Sequence, residues 1–136
     1  MRLSDIKVDS AAIERGDWVD NIPELSDLRL KVRGDNNSDY RALSGRLQRA
    51  LPAGQRSDGL APDVADKITV ELLHKTVLLD WSGLVDAAGV AVPYTPELAL
   101  SLLSDPDFRN FRYGVAWAAA VVASRRKAEQ DAAVKN

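Results

Sequence analysis

Cysteine is absent from the 136 residues, and histidine occurs once, as His74. The first absence excludes a disulfide framework, a thiolate-ligated zinc or iron–sulfur site and a thiol nucleophile. The second leaves no multi-histidine metal set. Aromatics make up only 6% of the chain. Ala, Leu and Val supply most of the apolar content, which favours helix packing over a β-sandwich. Long apolar runs are also missing. The longest, Val115 to Ala123, has nine residues, against about 20 for a membrane span, so no membrane partner is expected. MRLSDIKVDS at the start has no apolar h-region of a secretory signal. The eight glycines are dispersed, and neither GxGxxG, GxxxxGK[ST] nor GxSxG occurs. The net charge of −2 and pI near 5.4 exclude only a strongly basic nucleic-acid binder.

What is present is enough for one ordinary domain: 136 residues, 46% of them apolar, within the usual domain size of ~100–200 residues. The charges fall in blocks. Residues 1–27 carry seven acids against three bases, residues 28–56 seven bases against two acids, residues 57–107 nine acids against two bases, and residues 108–136 six bases against two acids. Alternating blocks suit solvated helix faces. They also suit contacts between copies of the chain, where opposite patches attract and fix register.

The pattern predicts a mainly α fold with a minor β component, as a single globular domain over 1–124 and a polar, flexible tail over 125–136. Ser10 can cap a short turn through Ala11, Ala12 and Ile13 that ends at Gly16. Trp18, Val19 and Ile22 form an extended apolar stretch up to Pro23. Leu28, Leu30 and Val32 alternate with Arg29, Lys31 and Arg33, a short strand near 28–33. Asn37 or Ser38 caps a helix with Tyr40, Leu43, Leu47 and Leu51 on one face, ended by Pro52. A loop from Pro52 to Pro62 leads to a second helix with the stripe Val64, Ile68, Leu72 and Leu79, widened by Leu73 and Val77. A small hairpin is expected near 83–93. Thr95-Pro96-Glu97 starts a helix that ends near Ser104, and Asp105-Pro106-Asp107 repeats the signal. The last helix carries Phe108, Phe111, Val115, Ala119 and Val122 on one seam. Trp117 and the alanines beside it widen its apolar surface beyond one packing face.

Few residues offer chemistry. His74 lies mid-helix beside Leu72, Leu73 and Val77, with Glu71 three before it and Asp80 six after; a triad or metal site would need further ligands from elsewhere, and a structural role is expected. The pairs Asp63/Asp66 and Asp105/Asp107 sit where helices begin and stabilise the positive helix end. Asp35-Asn36-Asn37-Ser38-Asp39 lacks the spacing and terminal glutamate of a calcium loop and reads as a turn with a cap. No cofactor, metal or catalytic residue is assigned, and an enzyme is not expected. The basic block 29–56 holds Arg29, Lys31, Arg33, Arg41, Arg46, Arg49 and Arg56. It could serve as a solvated face, a dock for an acidic protein surface, or a phosphate-binding patch. Its one interleaved aromatic, Tyr40, does not make a stacking platform for single strands.

Two stretches resemble a known family. Leu3 to Leu51 holds LSDIKVDS, the step Ile-Glu-x-Gly-x-Trp-Val at 13–19, IPE, DLRLKVRG and DYRALSGRLQRALP. Thr76 to Ala119 holds LLDWSGL, VPYTPELALSLL, SDPDFRNF and the start of WAAA. In this order they are similar to the tail assembly chaperones of long non-contractile-tailed bacteriophages and prophages. The resemblance implies a non-enzymatic protein of the host bacterial cytoplasm, not expected in the mature virion, that coats and solubilises the tape-measure protein during tail morphogenesis. It also implies a longer −1 frameshifted form that recruits the tail tube protein. The residues Val134-Lys135-Asn136 can be encoded through the slippery heptamer A-AAA-AAC. A homo-oligomer, as an open spiral or ring, would let copies repeat along such a client. The candidate interaction residues are Trp18, Val19, Ile22, Arg41, Arg46, Arg49, Phe108, Phe111, Val115, Trp117 and Val121. The alternatives are another phage structural protein or a nucleic-acid-binding phage protein using the basic block.

Overall fold

Leu30 and Val32 of the alternating stretch are fully buried, and they meet the seam of the last helix in one core. The computed structural model describes residues 1–54 and 59–127. Residues 55–58, with Arg56 of the basic block, and residues 128–136, with Val134-Lys135-Asn136, lie outside the described residues. In chain order the elements are α1 (Ser10–Arg15), β1 (Asp17–Val19), β2 (Arg29–Val32), α2 (Ser38–Ala50), α3 (Pro62–Thr76), β3 (Leu78–Ser82), α4 (Pro96–Ser104) and α5 (Arg109–Ala123). Short 3-10 turns occupy Leu3–Asp5 and Pro106–Phe108. The fold is mainly helical, with a three-stranded antiparallel sheet in the order β1-β2-β3.

β2 is the central strand. Trp18 faces Lys31 on one side, and Leu30 faces Trp81 on the other. α5 lies on this sheet, α4 packs on α5, α3 on α4, and α2 on α3. Val115, Ala118, Ala119 and Val122 of α5 are fully buried with Leu30, Val32, Val77 and Leu103. Such closure removes apolar area from water at ~25 cal/mol per Å². At Gly114 the segment before β2 approaches α5 closely: a Cβ there would lie 2.3 Å from Leu25 Cδ1 and 3.1 Å from Ile22 Cγ2.

Sequence punctuation and observed boundaries agree in part. Asn37 caps α2, accepting from the Tyr40 N–H at 2.8 Å, and Thr95 caps α4 through the Leu98 N–H. The hairpin near 83–93 is present as a single bridge, Val85 to Ala91, with the Val92 N–H donating to Leu84 O. Asp9, not Ser10, caps α1, because its carboxylate accepts the Ala12 N–H. The second helix does not reach Leu79. It stops at Thr76, whose hydroxyl donates back to Leu72 O at 2.6 Å, while Asn37 Nδ2 donates to Thr76 O at 2.9 Å. Leu78 to Ser82 then pairs with β2. Asp105-Pro106-Asp107 opens a 3-10 turn before the final helix. The domain also runs past residue 124: Arg125 pairs with Asp17 and donates to Trp18 O, and its carbonyl accepts the Asp9 N–H at 2.8 Å.

Candidate interaction surfaces

α5 is apolar on two faces. Phe111, Val115, Ala118, Ala119 and Val122 point into the core. Tyr113, Ala116, Trp117 and Ala120 are exposed and recur at i, i+3, i+4 and i+7, the spacing of one helix face. Tyr113 is 57% and Trp117 41% exposed. The two alanines leave the backbone between the rings open to close approach.

Tyr113 joins this face to a cleft of about 750 Å³ between α3 and the α4–α5 corner, also lined by Val70, His74, Leu100, Arg109 and Arg112. On its other side Tyr113 borders a hollow of about 150 Å³ with Pro23, Gly114 and Trp117. The cleft rim carries mixed charge. Arg112 reaches Asp66 at 3.6 Å and lies 5.6 Å from the Tyr113 ring centroid; Lys75 pairs with Glu71 at 2.6 Å. His74 Nε2 donates to Pro96 O at 2.9 Å, so its imidazole ties α3 to the start of α4.

A second, more apolar groove of about 380 Å³ opens near the N-terminal end of α5. Nine apolar side chains line it, among them Leu28, Leu84, Val85, Leu98 and Phe108, with Asp107 and Asn110 as the polar members. Behind it, Trp81 holds the hairpin: its Nε1–H donates to Val92 O at 2.7 Å, and its ring makes edge contacts with Tyr94 at 5.0 Å and Phe111 at 6.0 Å. Burial pushes the Tyr94 phenol above its ordinary pKa, and Asp80 and Glu97 add to the shift.

The basic block does not form one surface. Arg33 pairs with Asp39 at 2.8 Å, and the Arg29 guanidinium stacks 5.1 Å from the Trp18 ring. Arg41, Arg46 and Arg49 share a separate cleft of about 650 Å³ with Lys75 and the end of α3. All three are exposed, and none has a carboxylate within ion-pair distance among the described residues.

The other candidate residues divide sharply. Val19, Ile22 and Val115 are buried in the chain's own core, as is most of Phe111, which also forms part of the wall of the second groove. They were expected at an interface because periodicity gives the apolar face of an element but not what covers it. Trp18 and Val121 are half-buried, while Phe108 and Trp117 remain exposed. Sequence reasoning missed Leu100, Tyr113 and Val85. The signal for Tyr113 was available in the 113/116/117/120 spacing. The exposure of Leu100 and Val85 depends on how α4 and the hairpin dock.

Among the described residues no helix is long and apolar enough to cross a membrane, and no three His, Cys, Asp or Glu side chains group as metal ligands. Residues 35–136, three quarters of the chain, match the YdaY prophage protein family. No curated protein and no solved structure matches the chain.

Proposed function

We propose that this chain, which belongs to the YdaY prophage protein family, is a tail assembly chaperone that binds by surface contact and has no catalytic role. The observation that carries this reading is the exposed apolar face of α5, Tyr113-Ala116-Trp117-Ala120, flanked by an open interhelical cleft. An amphipathic helix lays i, i+3, i+4 and i+7 anchors against such a face. Apolar stripes on a long helical tape-measure protein are clients of that kind. The chaperone covers them until the tail tube closes around the tape measure, acting in the host cytoplasm and leaving before the virion is complete. A frameshifted longer form would bring the tail tube protein to the same assembly.

Co-expression with the tape-measure protein of the same prophage tests the reading. The wild type is expected to hold the client in the soluble fraction and to co-purify with it. Trp117→Asp combined with Tyr113→Ser is expected to lose both while the variant itself stays folded. A client equally soluble without this chain overturns the proposal.

Arg41, Arg46 and Arg49 of α2, which meet no carboxylate among the described residues, favour a second reading, an anionic partner such as a nucleic acid. Binding would then fall steeply with salt, with a log–log slope near −0.7 to −0.9 for each phosphate neutralised. Arg46→Glu with Arg49→Glu would abolish it.

A further inference from the structure

The cleft beside the α5 face carries a poorly satisfied cation on its wall. Arg112 lines it together with Tyr113. The Arg112 side chain is only 17% exposed. Its guanidinium has five N–H donors, yet it makes no hydrogen bond to any described residue. Its polar neighbours are Asp66, at 3.6 Å, and the Tyr113 ring, 5.6 Å away at the centroid. Asp66 is itself 60% exposed, and a charge-assisted hydrogen bond is shorter, ~2.7–2.9 Å. A guanidinium withdrawn from water without an acceptor is destabilising. A planar carboxylate, which accepts two of its N–H groups at once, is the partner that best relieves it.

The other charges of the cleft sort by partner. Lys75 is paired with Glu71 at 2.6 Å. Lys67 of α3 and Arg109 at the start of α5 also line the cleft and are exposed. Neither meets a carboxylate within ion-pair distance among the described residues. With its two acids already engaged, the cleft keeps a net positive wall beside the apolar Val70 and Leu100. The whole chain carries −2, so this positive wall is a local feature and not general basicity. A nucleic-acid strand suits it poorly, because Asp66 and Glu71 share the rim and repel a backbone charged at every step. One or two carboxylates on an otherwise apolar ridge fit it.

Tyr113 belongs both to this cleft and to the exposed face of α5, so an elongated partner can lie over both. From Arg112 to Trp117 the helix rises ~8 Å, between one and two turns. Ala116 and Ala120 let the backbone of a second helix come close. We propose that the cleft selects amphipathic helices bordered by an acid. Apolar side chains of the partner lie on Tyr113, Ala116, Trp117 and Ala120. A glutamate or aspartate one to two turns further along enters the cleft, where its carboxylate accepts two N–H bonds from Arg112, with Lys67 and Arg109 at the rim. This inference rests on the reading of the α5 face as a client surface, and it adds which apolar stripes that surface accepts. Arg112 is then a specificity-determining residue.

Fluorescence anisotropy with three labelled peptides of about 18 residues, long enough to hold a helix, tests it. The peptides share one leucine and alanine stripe and the same net charge, balanced on the far face. They differ only in the residue one to two turns beyond the stripe, which is Glu, Gln or Lys. The wild type is expected to bind the Glu peptide about tenfold more tightly than the Gln peptide and the Lys peptide most weakly, with a gap that narrows as salt rises. Arg112→Gln is expected to bind the Glu and Gln peptides alike. Lys67→Glu with Arg109→Glu, at two exposed positions, is expected to shift the preference to the Lys peptide. Thermal melting checks that each variant is folded, and the charge reversal at the rim decides the matter should Arg112→Gln unfold. A wild type that binds no peptide, a folded Arg112→Gln that keeps the full preference for Glu, or a charge reversal that leaves the preference unmoved would each overturn the proposal. So would a short single-stranded DNA that displaces the Glu peptide more effectively than the unlabelled Glu peptide does, which would assign the cleft to a nucleic acid. Equal binding of all three peptides, lost on Trp117→Asp with Tyr113→Ser, would overturn this inference and leave the chaperone reading standing.

Discussion

The two ends of α5 contrast. At its C-terminal end polar contacts from three loops close the helix. The Asp35 N–H donates to Ala119 O at 3.4 Å, Asn36 Nδ2 reaches Ala123 O at 3.5 Å, and Arg125 clamps Asp17 and the Trp18 carbonyl. At its N-terminal end the helix opens onto apolar walls, with Phe108 half exposed. The last carbonyls of a helix need donors, and this chain supplies them from its own loops. Those bonds are directional and already used, so that end is structural. At the other end no side chain caps the helix, and the surface beside it is apolar and exposed. Within one helix, polar satisfaction separates what holds the fold from what remains available for contact.

Asn37 belongs to the structural end and should show the largest effect. Its side chain is fully buried. It donates to Gly34 O at 2.7 Å and Thr76 O at 2.9 Å and accepts the Tyr40 N–H at 2.8 Å, so one amide joins the start of α2 to the end of α3. Asn37→Ala takes the side-chain donor from the Thr76 carbonyl, leaves the Gly34 carbonyl with only the Asn37 N–H at 3.0 Å, and removes a helix cap. It should cost ~2–4 kcal/mol, read as a lower urea midpoint with an unchanged slope. A loss below ~1 kcal/mol would mean that this end is not pinned as described. Trp81 stands nearer the open end and should matter less. Trp81→Phe keeps most of the ring packing but orphans Val92 O. It should cost ~1–2 kcal/mol and speed amide exchange in 84–92 before it affects β2.

The same contrast explains how much of the molecule could be read in advance. The cap at Thr95, a cap at Asn37 or Ser38, a strand near 28–33 and the seam of α5 from Phe111 to Val122 rest on local chemistry or strict periodicity and are present; Phe108, expected on the same seam, precedes the helix and is exposed. β3 was hidden because Leu72, Leu73, Val77 and Leu79 also fit a helical stripe. What ended the helix was a tertiary bond, from Asn37 to the Thr76 carbonyl 39 residues away. Val19 and Ile22 looked available to a partner because nothing local indicates that Gly114 lets α5 close over them. The cationic patch was legible as composition, but its division into a paired part and a free part depended on where Asp39 and Trp18 fold back.

Glu14 sharpens the comparison with a smaller effect. Its carboxylate links α1 to the start of α2 at the structural end, accepting the Ser38 N–H at 2.6 Å and the Ser38 hydroxyl at 3.1 Å. The Ser38 backbone N–H, then its hydroxyl, then Arg33, hold the Glu14 carboxyl below its ordinary range against a small opposing effect of burial. A carboxyl whose pKa is lower in the folded chain binds fewer protons there than in the unfolded chain. Its stabilisation is therefore full above the unfolded pKa, ~4.3, and is lost as pH falls through the folded value. Glu14→Gln should cost less than ~1 kcal/mol at neutral pH, because the site is open to water and screened. The gap between wild type and variant should then narrow steadily in denaturant titrations below about pH 4.3. A gap of the same size at pH 7 and at pH 3 would mean that the Ser38 contact does not depend on the charge of Glu14, and that the structural end is held by neutral hydrogen bonds alone.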